Sequence, residues 1–234
     1  MTNKQLEPNS NANEFSSFSS KILRAAIVAM VIITMTILSG CGGKETPDVD
    51  NPEQNANATT GDAVSDENSP EALFEMGNDY YKSGNLDEAI SAYKKAVEQK
   101  ADYDAAWANL GAAYYAQQNL EAAEEAYLKA IALSPDDADV VYNLGAIYLQ
   151  QSLASGAPDQ EKVTEALEQI NRAVTLNPNL AQPYYGLGVA NQLSGNTEAA
   201  IEAFEKFLDL DDGSDSVATG NATKILQSLK SGEN

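Results

Sequence analysis

Residues 107–114 carry the pattern Trp107-x-x-Leu110-Gly111-x-x-Tyr114, and this pattern decides the fold of the chain. The same pattern, two apolar residues followed by Gly and Tyr, recurs 34 residues later, at 141–148. It also occurs 34 residues earlier, at 73–80. A fourth copy, 184–191, ends in Asn rather than Tyr. Self-similarity at a fixed period of roughly 20 to 50 residues is typical of repeat architectures. The sequence therefore predicts a stack of equivalent structural units.

A second pattern follows each copy of the first. Residues 89–96 and 123–130 read Ala-x-x-x-Tyr-x-x-Ala, while 166–173 and 200–207 carry Ile170 and Phe204 in place of the Tyr. The apolar positions in both patterns fall at helical spacing, and short polar loops such as 83–85 separate them. Each unit is thus predicted to be two antiparallel helices.

Two local features are expected to fix the geometry within a unit. Asn85 followed by Glu88 predicts a capping box at the start of the second helix of the first unit. The glycines of the first pattern are expected to face alanines of the second and so let the two helix backbones approach; the pairs are Gly77 with Ala89, Gly111 with Ala123, Gly145 with Ala166 and Gly188 with Ala200. One helix pair leaves an apolar face exposed, so the pairs must stack.

These residues resemble the tetratricopeptide repeat over about 70–214. The resemblance implies an all-α fold, a right-handed superhelical solenoid of antiparallel helix pairs. Residues 215–234 are expected to contain a capping helix that covers the last pair, because Ala218, Ala222, Ile225, Leu226 and Leu229 share one helical face. The third unit has nine extra residues around 151–162, predicted to protrude as a loop or to extend both helices. The four predicted units are 70–103, 104–137, 138–180 and 181–214.

The first forty residues have the layout of an export signal. Lys21 and Arg24 precede an uncharged apolar run, 25–38, and the run leads to Leu38-Ser39-Gly40-Cys41. This end of the segment resembles the bacterial lipobox, which implies removal of residues 1–40 and lipidation of Cys41. The alternative is an uncleaved anchor, since residues 22–38 come close to the length that spans a bilayer.

Residues 41–69 are expected to be a disordered acidic tether. Positions 42–69 contain seven acids, one Lys and no Leu, Ile, Met or aromatic residue, so they cannot bury enough apolar surface to offset their ordering entropy. By resemblance, Gly42 is not the Asp that retains lipoproteins at the inner membrane of diderm bacteria. The expected location is therefore the bacterial cell envelope, with the periplasmic face of the outer membrane favoured.

Charge and composition exclude several functions. The chain has 14 Lys and Arg against 35 Asp and Glu, a formal charge of −21, which disfavours nucleic-acid binding. It has no His and one Cys, which removes His-based catalysis and Cys/His metal sites. The acids at 209–215 do not have the spacing of a calcium loop. We expect no catalytic residue, no metal and no cofactor.

In the repeat family, the first helices line the concave groove, and the resemblance implies which residues point inward. The inward positions hold Tyr, Asn and small residues with few charges, a surface suited to an extended or helical peptide. Alternatively, the tyrosines fill the space between successive first helices. The candidate partner-binding residues are Phe74, Asn78, Tyr81, Asn109, Tyr115, Tyr142, Asn143 and Tyr185.

One activity of the family can be tested on these residues. Its chaperone-binding subgroup grips a C-terminal carboxylate with two Asn and several cations. Asn78 and Asn109 match the two amides, but Phe74, Asp139 and Asn143 stand at the cationic positions. A carboxylate entering here would find no cation to offset its desolvation, so we expect that it is not the ligand.

The sequence thus predicts a non-enzymatic, membrane-anchored scaffold or assembly factor that binds a protein or peptide partner at the bacterial envelope. An alternative is an envelope enzyme, or its accessory subunit, that uses the repeats as a substrate clamp. Self-association through the ends of the solenoid is a third possibility.

Overall fold

A computed structural model describes residues 68–154, 156–213 and 215–232. The predicted signal segment 1–40, Cys41 and nearly all of the predicted tether lie outside these residues. Within them the chain is all-α, with no strand. The helices are α1 (Pro70–Lys82), α2 (Leu86–Gln99), α3 (Asp104–Ala116), α4 (Leu120–Leu133), α5 (Ala138–Ser152), α6 (Gln160–Leu176), α7 (Ala181–Leu193), α8 (Thr197–Leu210) and α9 (Ser216–Ser231).

Successive helices form four pairs that stack into a solenoid, as the period of 34 residues predicts. The closest packing is within the pairs α1–α2, α3–α4, α5–α6 and α7–α8, and each pair then packs on the next. The predicted capping helix is α9, which packs on α8 and buries Ala218, Ala222, Ile225 and Leu229. The core therefore runs along the whole stack and is closed at its C-terminal end.

Tight turns join the helices of three pairs. In the first pair, the backbone N–H of Asn85 donates to the carbonyl of Tyr80 at 2.9 Å, and that of Gly84 donates to Tyr81 at 3.0 Å. These two bonds form a Schellman motif, which satisfies carbonyls at the end of α1 and needs left-handed backbone at Gly84, where φ is 77°. The same bonds recur after α3 and α7, so the chain reverses in the same way in each of the three pairs.

The nine extra residues of the third unit are divided between its helices and its loop. Helix α5 has 15 residues where the other first helices have 13, and α6 has 17 where the other second helices have 14. The connection widens from three residues to the seven of 153–159. The extra residues therefore extend both helices and also lengthen the loop between them.

The glycine contacts differ from those predicted. A Cβ atom added to Gly111 would lie 2.9 Å from the ring of Tyr127, and one added to Gly77 would lie 2.5 Å from the ring of Tyr93. At Gly188 the nearest side chain is Phe204, and only Gly145 comes close to the backbone of its predicted partner, Ala166. The nearest side chain is in each case the large one four residues after the predicted alanine partner, so the missing Cβ of the glycine makes room for that side chain.

The residues that precede the helices differ in whether their side chains cap the helix. Asp137, Asp159 and Asp215 each accept two backbone N–H groups at the starts of α5, α6 and α9. Asn85 precedes α2 but its side chain makes no capping hydrogen bond. The predicted capping box at Asn85 and Glu88 is therefore wrong, and the preceding Schellman turn fixes the start of α2 instead.

No helix among the described residues is long and apolar enough to cross a membrane.

Candidate functional site

The first three helix pairs enclose a cleft of ≈ 460 Å³ on the concave side. Helices α1, α3 and α5 supply nearly all of its lining, because they are the first helices of successive units and stand side by side. Six of the eight predicted partner-binding residues line it: Phe74, Asn78, Tyr81, Asn109, Tyr115 and Asn143.

Small residues keep the cleft open. Ala105, Ala108 and Ala112 lie along the α3 side of the lining. Phe74, half-buried on α1, supplies an apolar wall; its ring centroid lies 5.0 Å from that of Tyr103 and 5.9 Å from that of Tyr93. These aromatic contacts hold the Phe74 ring in place and offer a rigid apolar surface to a ligand.

The two asparagines on α1 and α3 bond to each other. The Asn109 Nδ2 group donates to Asn78 Oδ1 at 2.8 Å, and the Tyr93 hydroxyl donates to the same oxygen at 2.8 Å. Desolvation by burial is the largest effect on the Tyr93 phenol and raises its pKa, so it stays a neutral donor. The amide of Asn109 therefore already has a partner inside the protein, whereas Asn143, half-buried on α5, faces the cleft from the opposite side.

Tyr115 presents a buried hydroxyl without a partner. Its side chain lines the cleft and is only 4% exposed, yet its hydroxyl makes no hydrogen bond to any described residue. Burial raises the pKa of Tyr115, so the group remains a neutral donor and acceptor. A buried hydroxyl without a hydrogen bond is costly, and a ligand group that reached it would remove that cost.

The cleft is more acidic than the sequence predicts. Glu75, Asp137 and Asp139 line it together with a single base, Lys82. The expectation of a nearly uncharged inner surface is therefore wrong in this half of the solenoid. Glu75 could have been found from its position, because it is three residues before Asn78 on the same helical face. Asp137 could not, because it belongs to the loop before α5.

Tyr142 and Tyr185 do not line an open groove, and their prediction as groove residues is wrong. Tyr142 is 1% exposed and Tyr185 is fully buried. The Tyr185 ring packs edge-on against Phe204 and Phe207, with centroids 5.7 and 5.2 Å apart. Their inward neighbours Leu149 and Val189 are fully buried as well. These inward positions of the last two units are therefore buried, and the Tyr185 ring packs against the second helix of its own unit.

Among the described residues, no group of three His, Cys, Asp or Glu side chains is placed to hold a metal ion. Cys41, the predicted lipidation site, lies outside them.

Comparison with known proteins points to one repeat family. A sequence model of the tetratricopeptide repeat matches residues 74–138 and 152–215, and a second model described in the same way matches 126–168. None of the curated proteins searched matches this chain.

Solved structures of similar fold include several of MamA. One crystal structure of MamA is 27% identical with a TM-score of 0.56, and the match covers 62% of this chain and 80% of that one. A second is 27% identical with a TM-score of 0.55 and covers 64% and 76%. MamA 41-end from Desulfovibrio magneticus RS-1, at 24% identity and a TM-score of 0.55, covers 64% and 79% and shows the shared fold alone.

Proposed function

Because the chain belongs to the tetratricopeptide repeat family and is a protein-interaction scaffold, we propose that it holds a peptide or helix of a partner protein in the cleft between α1, α3 and α5. The observation that carries this proposal is the cleft itself, which combines the apolar wall at Phe74 with the amide of Asn143 and the unbonded hydroxyl of Tyr115. An apolar surface with a few convergent polar groups suits a polypeptide segment.

The proposal extends to where the scaffold works. Lipidation at Cys41 would hold the chain at a membrane. Residues 42–69 would then act as a flexible tether with a reach of about 30 Å, so the repeats could bind a partner at that distance from the membrane surface. The lipobox resemblance supports the bacterial envelope, with the periplasmic face of the outer membrane favoured by Gly42. In this role the protein assists assembly and does not catalyse a reaction.

Site-specific crosslinking tests the cleft. A photoreactive residue at position 143 should capture a defined partner in cells, because the Asn143 side chain faces the cleft. The same residue at position 202, which is exposed on α8, serves as the control. Asn109→Leu should weaken capture from position 143, since it removes the hydrogen bond to Asn78 Oδ1 without adding a charge to the cleft. Equal capture from 143 and 202 would count against the cleft.

Mass spectrometry tests the anchor. The N-terminal peptide of the mature protein should begin at residue 41 and carry acyl chains, and Cys41→Ser should release the protein from the membrane fraction. A mature form whose residue 41 bears no lipid would contradict the envelope anchor but would leave the cleft proposal standing.

A further inference from the structure

The charged groups of the cleft favour a cation. Glu75, Asp137 and Asp139 line the cleft together with a single ammonium group, that of Lys82. The four ion pairs between described residues lie elsewhere and involve none of these three acids. The negative charge of the cleft is therefore not neutralised by an ion pair within this part of the chain.

Two of these carboxylates repel each other. Desolvation by burial is the main cause that raises the pKa of Asp139, and the nearby Asp137 carboxylate adds to it. Asp137 has a fixed position, because its Oδ1 atom accepts from the backbone N–H groups of Asp139 at 3.1 Å and Val140 at 3.0 Å. A cation between the two groups would relieve the repulsion without moving α5.

An independent feature points to a ligand at the same place. Tyr115 lines the cleft, and its hydroxyl is buried beneath the cleft surface and lacks a hydrogen bond to any described residue. Buried polar atoms normally have a partner, so the occupant needs a polar group as well as a positive charge.

The same charges exclude two occupants. The segment 42–69 precedes α1, but its seven acids and single Lys would be repelled by the cleft. A C-terminal carboxylate would meet three acids and a single cation, Lys82, where it needs several cations.

We infer that the partner segment is basic: an Arg or Lys side chain lies among Glu75, Asp137 and Asp139, and a neighbouring polar group hydrogen-bonds with the Tyr115 hydroxyl. This inference rests on the proposed function and specifies the chemistry of the partner at the same cleft.

A blocked peptide library tests the inference. The probe is a set of N-acetylated, C-amidated nonapeptides with Arg, Lys, Gln, Glu or Asp fixed at the central position and uncharged residues elsewhere. Peptides with Arg or Lys should bind the full-length protein in detergent about three- to tenfold more tightly than those with Gln, and those with Glu or Asp more weakly still. Raising the salt concentration should reduce the preference.

Matched variants locate the preference. The double substitution Asp137→Asn and Asp139→Asn should remove most of the preference for Arg and Lys peptides over Gln peptides. The helix cap is preserved, because Asn caps a helix as well as Asp does. Asp136→Asn, which changes an exposed neighbour outside the cleft, should leave the preference unchanged. Tyr115→Phe should weaken binding about three- to tenfold without lowering the melting temperature, since the hydroxyl has no partner in the free protein.

The outcomes separate this inference from the proposed function. Tight binding of neutral or acidic peptides in the cleft, equal effects of the substitutions at 136 and 139, or unchanged binding by Tyr115→Phe would overturn the inference and leave the interaction role intact. Failure of every peptide to bind, together with no capture from position 143, would overturn both.

Discussion

The turns inside three helix pairs show how much a single residue matters. Each turn places one residue in left-handed backbone, with φ of 77° at Gly84, 75° at Gly195 and 62° at Gln118. This conformation destabilises a residue that has a Cβ atom by about 1–2 kcal/mol, whereas glycine adopts it without that strain. Gln118 is the only non-glycine residue with positive φ in the described segments, so the second turn is the strained one.

Gln118→Gly should raise the free energy of unfolding by about 0.5–1 kcal/mol, because it removes this strain. It also removes two side-chain hydrogen bonds, the exposed one from Gln150 and a long one of 3.4 Å from Gln118 Nε2 to the Tyr115 carbonyl, and both contribute little. Urea denaturation measures the change. The matched control is Gly84→Gln. It introduces the same backbone strain without a clash, because a Cβ atom added there meets no other atom within 4 Å, and it should lower the free energy of unfolding by about 1 kcal/mol. A loss of stability in the Gln118 variant would contradict this account of the turn.

Gly111 is required for space rather than for backbone freedom. In Gly111→Ala the new methyl group would lie 2.9 Å from the Tyr127 ring, which is buried and cannot move freely. Overpacking of this kind should lower the free energy of unfolding by about 1–3 kcal/mol. In Gly220→Ala the new methyl group would meet no atom within 4 Å. Because Ala is the better helix former, this change in α9 should raise the free energy of unfolding by about 0.5–1 kcal/mol. Changes of the same sign in urea melts of the two variants would contradict the predicted clash.

At the scale of the helix, the ends differ in how their first N–H groups are satisfied. Asp159 accepts from the backbone of Glu161 at 3.0 Å and of Lys162 at 3.4 Å, and it starts the longest helix, α6. Asn85 and Asn196 stand at equivalent positions before α2 and α8 without a side-chain capping bond. Seven residues separate α6 from α5, so a turn at the end of α5 does not by itself fix where α6 begins. The Asp159 cap is therefore expected to contribute more there.

Asp159→Ala should cost about 1–2 kcal/mol of stability, the usual effect of losing a capping side chain. Asn85→Ala should cost only a few tenths, because there is no capping bond to lose. Both values can be read from chemical denaturation followed by circular dichroism. A larger effect at Asn85 than at Asp159 would show that the caps are assigned incorrectly.

For the whole molecule, neighbouring units are coupled by polar contacts about one period apart in sequence as well as by the core. Examples are Asn109 with Asn78, Gln117 with Asp87, Gln150 with Gln118 and Gln151 with Glu124. The solenoid also carries a large excess of one charge. Residues 70–234 have 10 Lys and Arg against 26 Asp and Glu, a formal charge of −16, so its units repel one another.

Salt should therefore stabilise the protein. Raising NaCl from low to molar concentration screens this repulsion and should raise Tm by a few degrees, since about 1 kcal/mol shifts Tm by roughly 2–4 °C in a protein of this size. The ion pairs that salt weakens are exposed or half-buried and contribute little. Thermal melts across a salt series check this, and a falling Tm would mean that ion pairing outweighs repulsion.

The sequence by itself determined the helix pairs, their number, the capping helix and the cleft positions of Phe74, Asn78, Tyr81, Asn109, Tyr115 and Asn143. The helix pairs, their number and the capping helix follow from the spacing of apolar residues, which is a local property of the sequence. The cleft positions follow from the resemblance to the repeat family. Only the tertiary structure decided which inward positions stay open. That depends on side-chain volumes on the helices that pack together: alanines at 105, 108 and 112 leave a cleft, while Phe204 and Phe207 pack against Tyr185, which is buried. It also brought Asp137, from a loop, to the cleft that Glu75 lines, because stacking places residues far apart in sequence on one surface.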